Sequence, residues 1–278
     1  MFNIIELALD EDRAFNDITT QEFLASNIYI NAMLISNTSG MICGINAFIQ
    51  ILKIIDKNCE IILYVNEGSI IKERTKILQI RGSVKILSVE RIALNILQYM
   101  SNIATLTNKF VNLVKKINPK IKIYDTRKTL PGYRNLAKYA VRCGGGVNHR
   151  MNLADMILIK DNHLKLIKNL NGKINQCRKK YNNIMIEIEC ENYQDVMLAL
   201  NVKADIIMLD NMTLKQLENI ISIIRQHSTV TYSPEIEVSG GINLDNVHHI
   251  AQFDIDRLSI GMLTNTSHYK TDFTLEVI

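Results

Sequence analysis

Glycine, proline and paired cysteines are all scarce in this chain of 278 residues. It has 12 glycines and three prolines, and its five cysteines are scattered without a CxxC motif. An odd, scattered set of cysteines does not favour a disulfide or zinc framework and fits free thiols in a reducing compartment. The six histidines form neither an HxxxH nor an HExxH pattern, so we predict no transition-metal site.

Long hydrophobic runs and a basic leader are also missing. Charged residues interrupt the apolar stretches, so we predict no transmembrane helix and no binding to membranes. The first residues, MFNIIELALDEDR, are acidic and lack the regions of a secretory signal, so we expect a cytoplasmic protein. The net charge is only +4, and the basic segment has few interleaved aromatic residues. This favours a pocket over a nucleic-acid-binding strip, so we expect no nucleic-acid partner.

The second half of the chain repeats short apolar runs with helix-length gaps between them. Such alternation predicts βαβ units and a parallel sheet, and near-continuous apolar runs suit strands buried on both faces. We therefore predict an α/β protein whose residues 113–264 form a C-terminal β/α barrel. The six runs are residues 120–127, 156–160, 184–189, 205–210, 235–241 and 257–261.

The first part of the chain has a different pattern. Strand-like pieces such as NIYINAMLIS and CEIILYV are joined by turn signals, and an amphipathic stretch follows at about residues 89–116. We predict an N-terminal α+β domain over residues 1–112, which the C-terminal tail 265–278 is expected to join.

A cluster of basic residues surrounds the triplet Gly144-Gly145-Gly146. Residues 120–150 contain eight Lys or Arg and a single acid, Asp125. Arginine offers bidentate donors to carboxylates and phosphates, lysine offers point charge, and exposed amides of a glycine turn can cradle oxygens. Solvated surface charge is the alternative, but these residues gather at the ends of predicted elements and not on one helical face. The pattern favours a site for small, multiply anionic substrates built from Arg127, Lys128, His149, Arg150 and Lys160.

Polar or glycine residues end all six runs, at the edge where active sites of β/α barrels are built. Glu187 and Glu189 lie two apart and share a face; Glu187 fits an internal salt-bridge network, and Glu189 fits ligand contact. Asp210 could bind sugar hydroxyls directly or through Mg²⁺. The residues that end the runs are Thr126, Arg127, Lys160, Glu189, Asp210, Ser239, Gly240, Gly241 and Gly261.

The glycines near the last two runs suggest a phosphate site. Loops after the final strands of such barrels often bind phosphate through backbone amides, although Gly240-Gly241 could serve only a tight turn. His149-Arg150 could likewise be a structural pair. The chain has no GxSxG, P-loop or GxGxxG motif, so the site favours charge stabilisation over covalent catalysis.

Several blocks together resemble the successive motifs of the quinolinate phosphoribosyltransferase family. They are DTRKTLPGYRNLAKYAVRCGGGVNHR, LIKDNH, IEIE, DIIMLDN, SGGI and SIGMLT, with DEDRAFNDITT and ERIALNILQYMSNIAT before them. The resemblance implies transfer of phosphoribose from phosphoribosyl pyrophosphate to quinolinate with loss of CO₂, giving nicotinate mononucleotide and pyrophosphate in NAD biosynthesis. It also implies a Mg²⁺ cofactor and a homodimer, or a hexamer built from dimers, with sites shared between subunits.

The resemblance also assigns roles to residues at matching positions. Arg127, His149 and Arg150 would hold the quinolinate carboxylates, beside Thr126 and with Arg91 from the neighbouring subunit. Lys128 and Lys160 would face the pyrophosphate and substrate anions. Glu189 and Asp210 would engage the ribose and Mg²⁺, directly or indirectly, and the 5′-phosphate would bind Ser239, Gly240, Gly241 and Gly261.

The sequence departs from the family pattern at four asparagines. Asn16, Asn102 and Asn152 stand where glycine is expected, and we expect them to be tolerated because Asn readily adopts a left-handed backbone. Asn265 replaces a histidine, which would weaken phosphate binding if that histidine contacts phosphate.

Two other functions fit the same fold. One is a paralogue acting on another substrate, such as the family associated with molybdenum-transport loci, but the intact DTRK and GGGVNHR blocks favour quinolinate. The other is a non-catalytic phosphosugar sensor, which the presence of all the charged site residues disfavours.

Overall fold

The computed structural model describes residues 2–265 and 270–278 and divides the chain into two compact units. The first unit consists of Met1–Lys109, Thr129–Gly145 and Leu263–Ile278, and the second of Phe110–Lys128 and Gly146–Met262. Residues 266–269 of the predicted tail lie outside the described residues. Among the helices described, none combines the length and apolar character that crossing a bilayer requires.

The first unit is built on an antiparallel sheet of order β12-β1-β5-β3. In β1, Leu34 pairs with Leu78 of β5 on one side and with Leu275 of β12 on the other. A small second ladder joins β2 and β4. The strands are β1 (Tyr29–Ser36), β2 (Gly40–Met41), β3 (Glu60–Leu63), β4 (Ile70–Ile71), β5 (Lys76–Ser83) and β12 (Phe273–Val277).

Helices of the first unit bury apolar stripes at helical spacing. In α3, Phe48, Ile51 and Leu52 are fully buried, as a core-facing stripe requires. The carboxylate of Glu67 accepts the amides of Gly44 and Ile45 at 2.6 and 2.9 Å, and so satisfies donors at the start of α3. The helices are α1 (Phe2–Glu11), α2 (Ile18–Phe23), α3 (Ile45–Ile55), α4 (Glu90–Ile117), α5 (Arg134–Cys143) and α11 (Met262–Asn265), with 3-10 turns at Ala14–Asn16 and Val84–Val89.

The glycine triplet ends α5 and packs against a helix. The amides of Gly144 and Gly145 donate to the carbonyls of Ala140 and Arg142 at 2.9 Å. A Cβ on Gly144 would lie 2.6 Å from the carbonyl oxygen of Ala104 in α4, and Gly145 has φ +89°. The expected amide cradle for anions is therefore wrong for these two residues, because helix termination already uses both amides.

The second unit is a β/α barrel, as predicted. Its six strands are all parallel, in the order β6-β11-β10-β9-β8-β7, and Tyr124 of β6 also bridges in parallel to Val147. Ile186, Ile188 and Ile207 are fully buried, which matches apolar runs covered on both faces. The strands are β6 (Lys122–Tyr124), β7 (Ile157–Ile159), β8 (Ile186–Cys190), β9 (Ile206–Asp210), β10 (Glu235–Ser239) and β11 (Arg257–Ser259).

The helices of the second unit alternate with these strands. They are α6 (Asp161–Leu164), α7 (Leu170–Lys180), α8 (Tyr193–Asn201), α9 (Leu214–His227) and α10 (Val247–Ile250). Each of the six predicted runs coincides with a strand to within a few residues, and the helix predicted at about 89–116 is α4, so these predictions are confirmed. The predicted boundary at residue 112 stays a prediction; the compact units place residues 129–145, which include α5, in the first unit.

Candidate active site

A cavity of about 290 Å³ opens at the carboxyl ends of the barrel strands. Every barrel strand contributes to it, at its last residues or just beyond its end, and so does the segment that bridges to β6. Side chains from across the sequence therefore meet in one place, as expected of a parallel barrel. Its lining residues are Thr126, Arg127, Lys128, His149, Arg150, Leu158, Lys160, Glu189, Met208, Asp210, Ser239 and Ser259.

A buried aspartate positions the basic segment that follows the glycines. Asp125 is fully buried, and its carboxylate accepts the His149 amide at 2.9 Å and the Asn148 side-chain amide at 2.5 Å. The Val147 amide donates to the Ile123 carbonyl at 2.7 Å. These bonds extend the sheet by one short parallel segment, and they bring residues 149–150 beside residues 126–128.

Two arginines in the cavity are arranged for an anion. Burial, followed by the charge of Arg127, lowers the pKa of the Arg150 guanidinium. The Nε of Arg127 is buried, and no hydrogen bond from it reaches any described residue. Buried donors are normally satisfied, so an orphaned guanidinium nitrogen beside a second guanidinium indicates a binding site for carboxylate or phosphate.

Acidic residues stand opposite these cations. The Nζ of Lys160 forms an ion pair with Oε2 of Glu189, whose side chain is 10 % exposed. Asp210 ends β9 and accepts a hydrogen bond from the side chain of Asn211 at 2.7 Å. Both carboxylates line the cavity. The site thus presents hard oxygen ligands next to lysine and arginine donors.

Beneath the cavity, two glutamates and a histidine form a buried charged cluster. Glu187 and Glu237 are both 0 % exposed, and Nε2 of His149 lies 3.0 Å from Glu187 and 3.4 Å from Glu237. Burial lowers the pKa of His149, but the two carboxylates outweigh it and raise the pKa to about 9. Burial and the charge of Glu237 also raise the pKa of Glu187. We call these three residues the buried triad. At neutral pH the triad holds a proton that an isolated histidine and two isolated glutamates would have released.

The Nδ1 atom of His149 limits where the proton of the triad can lie. The Arg150 amide donates to Nδ1 of His149 at 2.8 Å, which disfavours a proton on Nδ1. The raised pKa of Glu187 offers a place for it on the carboxylate side. The internal salt-bridge network considered for Glu187 is present, with His149 as its partner. The same histidine ring accepts the Arg150 amide, so the network also holds the backbone at Arg150.

Glu237 has further partners that tie the triad to the strands around it. Ser259 donates its hydroxyl to Glu237, and the Arg257 guanidinium lies 3.9 Å from it. Arg257 also pairs with Glu235 and lies 4.7 Å above the ring of Tyr124. Glu237 and Ser259 were not among the site residues predicted from the sequence. Glu235 and Glu237 repeat the two-residue spacing of Glu187 and Glu189, and that repeat could have revealed Glu237.

The glycines after β10 and β11 occupy their positions for different structural reasons. Gly240 has φ +92°, and a Cβ there would lie 2.3 Å from Oδ1 of Asn211, so only glycine fits. Gly241 has φ +60°, and a Cβ there would meet open space, whereas a Cβ on Gly261 would lie 3.3 Å from Cδ of Lys128. A tight turn thus accounts for Gly240, while Gly261 adjoins a residue of the cavity.

Nine of the predicted site residues line the cavity together. Gly240, Gly241 and Gly261 follow strands at the same edge. Arg91 is exposed in the first turn of α4 and belongs to the other compact unit. Leu158, Met208 and Ser259 line the cavity without having been predicted. The nine are Thr126, Arg127, Lys128, His149, Arg150, Lys160, Glu189, Asp210 and Ser239.

Family models match both halves of the chain. The model described as the C-terminal domain of quinolinate phosphoribosyl transferase matches residues 103–276, and the N-terminal domain model matches residues 17–101. The chain belongs to the quinolinate phosphoribosyltransferase family. The resemblance seen in the motifs is therefore confirmed.

Relatives from this family match along nearly the whole chain. The probable nicotinate-nucleotide pyrophosphorylase (carboxylating) of Methanocaldococcus jannaschii is 35% identical, and the match covers 99% of this chain and 96% of that protein. The nicotinate-nucleotide pyrophosphorylase (carboxylating) of Mycobacterium leprae is 32% identical over 94% of this chain and 92% of that protein.

Solved structures of the family have the same fold. The nicotinate-nucleotide pyrophosphorylase from Francisella tularensis matches with a TM-score of 0.90 and 35% identity, over 99% of this chain and 95% of that chain. The one from Ehrlichia chaffeensis matches with a TM-score of 0.90 and 33% identity, over 100% and 98%.

The asparagines that depart from the family pattern do not adopt a left-handed backbone. None of Asn16, Asn102 and Asn152 has a positive φ, so tolerance of a left-handed backbone is not what allows asparagine at these positions. Asn102 is helical, and its Oδ1 accepts the amide and the hydroxyl of Thr271 at 2.6 and 3.0 Å. This asparagine therefore ties the C-terminal segment to α4. Asn265 is exposed at the end of α11.

Proposed function

We propose that this protein transfers phosphoribose from phosphoribosyl pyrophosphate to quinolinate, with loss of CO₂, to give nicotinate mononucleotide and pyrophosphate. Family membership supports the reaction class. The observation that carries the proposal is the orphaned Nε of Arg127 beside Arg150 in a cavity that also contains two lysines. Both substrates are polyanions, and such a cavity matches them in charge.

Quinolinate has two adjacent carboxylates, and the arginine side of the cavity suits them. We assign Arg127 and Arg150 to these carboxylates, because a guanidinium donates two parallel hydrogen bonds to a carboxylate. His149 contributes by holding the Arg150 amide at 2.8 Å, in addition to its proposed contact with quinolinate. Arg91 of the partner subunit would complete this half of the site.

The phosphates of the second substrate need the remaining donors. We assign Lys128 and Lys160 to the pyrophosphate and Thr126, which lines the same cavity, to substrate binding. The 5′-phosphate would bind at the turn of Ser239, Gly240 and Gly241, and near Gly261. Backbone amides at glycine turns approach phosphate oxygens closely because no Cβ intervenes.

The proposed chemistry is charge stabilisation at two stages. Departure of pyrophosphate builds positive charge at the anomeric carbon of the ribose, and the carboxylates of Glu189 and Asp210 would stabilise it. Loss of CO₂ then leaves negative charge on a ring carbon, which the pyridinium nitrogen and the nearby guanidinium and ammonium groups would stabilise. The ion pair with Lys160 orients Glu189 for the first stage.

Magnesium fits the acidic side of the cavity. Mg²⁺ prefers oxygen ligands and usually binds through one or two carboxylates together with substrate phosphates. We propose that Glu189 and Asp210 hold it, directly or through water. When bound it would neutralise charge on the pyrophosphate. Chelation of Mg²⁺ should then abolish turnover, and added Mg²⁺ should restore it.

We also propose a cytoplasmic homodimer, or a hexamer built of three such dimers, in which Arg91 crosses to the neighbouring site. All five cysteines are free thiols, which suits a reducing compartment.

The sharing of Arg91 can be tested by mixing two inactive variants, Arg91→Ala and Lys160→Ala. If subunits pair at random, about half of the dimers contain one subunit of each variant, and each mixed dimer has one site with both residues intact. About a quarter of all sites should therefore regain activity. Recovery of no activity after subunit exchange would contradict the sharing.

Calorimetric titration tests the assignment of the arginines. Quinolinate should bind the protein more tightly than nicotinate, which lacks the second carboxylate. Arg127→Ala should remove most of that preference, while the exposed Arg81→Ala is a matched control that should keep it. Equal binding of the two acids to the wild-type protein would contradict the proposal.

A further inference from the structure

Two cysteines from distant parts of the sequence meet in the first unit. Cys43 precedes α3, and Cys143 is the last residue of α5. Their sulfurs, together with a carboxylate oxygen of Glu67, all lie within 4.8 Å of one another. Gly68 adjoins the same place, since a Cβ there would be 3.3 Å from the sulfur of Cys143. None of these residues lines the cavity described above.

The two thiols differ in access and acidity. Cys43 is 0 % exposed, and its backbone amide and carbonyl bind the hydroxyl of Ser101 at 3.0 and 3.1 Å. Cys143 is half-buried. The interaction with Cys143, and then burial, raise the pKa of the Cys43 thiol, while the interaction with Cys43 lowers the pKa of Cys143. The accessible sulfur is thus the better nucleophile, and the fixed sulfur is its neighbour.

We propose that Cys43 and Cys143 are a site of reversible thiol oxidation, at which hydrogen peroxide oxidises the two thiols to a disulfide. The Cys143 thiolate attacks the peroxide oxygen, the O–O bond breaks, and hydroxide leaves to become water. The sulfur of Cys43 then attacks the resulting sulfenic acid, losing its proton as a second water departs. Two thiols are oxidised and one peroxide is reduced. A disulfide requires the sulfurs to approach to about 2.05 Å, so the proposal requires the half-buried Cys143 side chain to turn towards Cys43.

Glu67 explains why the pair favours oxidation over metal binding. Its two carboxylate oxygens already accept the amides of Gly44 and Ile45 at the start of α3. A metal would have to share this carboxylate with the helix. The two sulfurs are the ligands that remain uncommitted there, whereas structural zinc sites take four ligands.

Thiol counting with peptide mapping tests the proposal. The reduced wild-type protein is treated with hydrogen peroxide, then unfolded and titrated for thiols, and its peptides are separated without reductant. The titre should fall from five, the number of cysteines in the chain, by the two that pair. A linked peptide should contain Cys43 and Cys143, and dithiothreitol should restore all five thiols.

Two variants sharpen the test. Cys143→Ser should yield no linked peptide that contains Cys43. Cys177→Ser removes another half-buried thiol as a matched control, and should keep the Cys43–Cys143 peptide. Peroxide treatment that leaves Cys43 and Cys143 unlinked, including over-oxidation of Cys143 alone, would overturn the proposal. So would one equivalent of zinc in the purified protein that Cys143→Ser loses.

Discussion

The buried triad of His149, Glu187 and Glu237 makes the stability of the protein depend on pH in a defined direction. The pKa of His149 is raised to about 9 from an ordinary value of 6.5. A rise of about 2.5 units corresponds to about 3 kcal/mol, since one unit is about 1.4 kcal/mol. Because the folded-state pKa lies above the unfolded one, this stabilisation is complete below pH 6.5 and is lost as the pH rises through 9.

The substitution His149→Gln removes the titrating ring but keeps a hydrogen-bond donor. Glu187 and Glu237 then lose the ring with which they hold a shared proton, and removing one member of a buried charged cluster costs about 3–5 kcal/mol. The free energy of unfolding, measured in urea from pH 6 to pH 10, should therefore be lower for the variant at pH 6.5. The difference from wild type should shrink by about 3 kcal/mol towards pH 10.

A matched control separates the triad from general effects of alkaline pH. His248 is exposed on α10, so His248→Gln should follow the wild-type curve throughout. An equal loss of stability with rising pH in wild type and in His149→Gln would refute the reasoning, because it would place no titrating proton in the triad.

Three further predictions concern the site and its scaffold. Arg127→Ala and Lys160→Ala should each lower kcat/KM by about 100-fold or more while leaving the circular dichroism spectrum unchanged; near-normal turnover would contradict their assignment. Gly240→Ala should lower the unfolding free energy by more than about 1 kcal/mol. Gly241→Ala should cost less, because an added Cβ there would meet open space. Equal losses of unfolding free energy in urea would contradict this difference. Asn102→Ala should cost about 1–3 kcal/mol because two hydrogen bonds to the C-terminal segment disappear, and an unchanged thermal midpoint would argue against that link.

The sequence predicts most of the barrel because its strands are apolar runs that end in charged or glycine residues. Parallel strands place their carboxyl ends at one edge, so Lys160, Glu189 and Asp210 could be grouped from spacing alone. Thr126 and Arg127 could be added because they follow β6 directly. This part of the site depends on local pattern and on one topological rule.

Other features depend on neighbours that are distant in sequence. Gly144 is required by the approach of Ala104, which lies forty positions earlier in α4, so composition alone suggested an anion cradle in error. Glu237 repeats a two-residue spacing that could have marked it, but its contact with His149 depends on the order of the strands. The role of Asn102 is likewise visible only once Thr271 is seen beside it.

The central claim, that the cationic cavity joins quinolinate to phosphoribose, is tested most directly by product analysis. The purified protein would be incubated with phosphoribosyl pyrophosphate, Mg²⁺ and either quinolinate or nicotinate, and nicotinate mononucleotide would be followed by chromatography. We predict product from quinolinate, with one CO₂ released for each nucleotide formed, and none from nicotinate. Product from nicotinate alone, or from neither acid, would contradict the account.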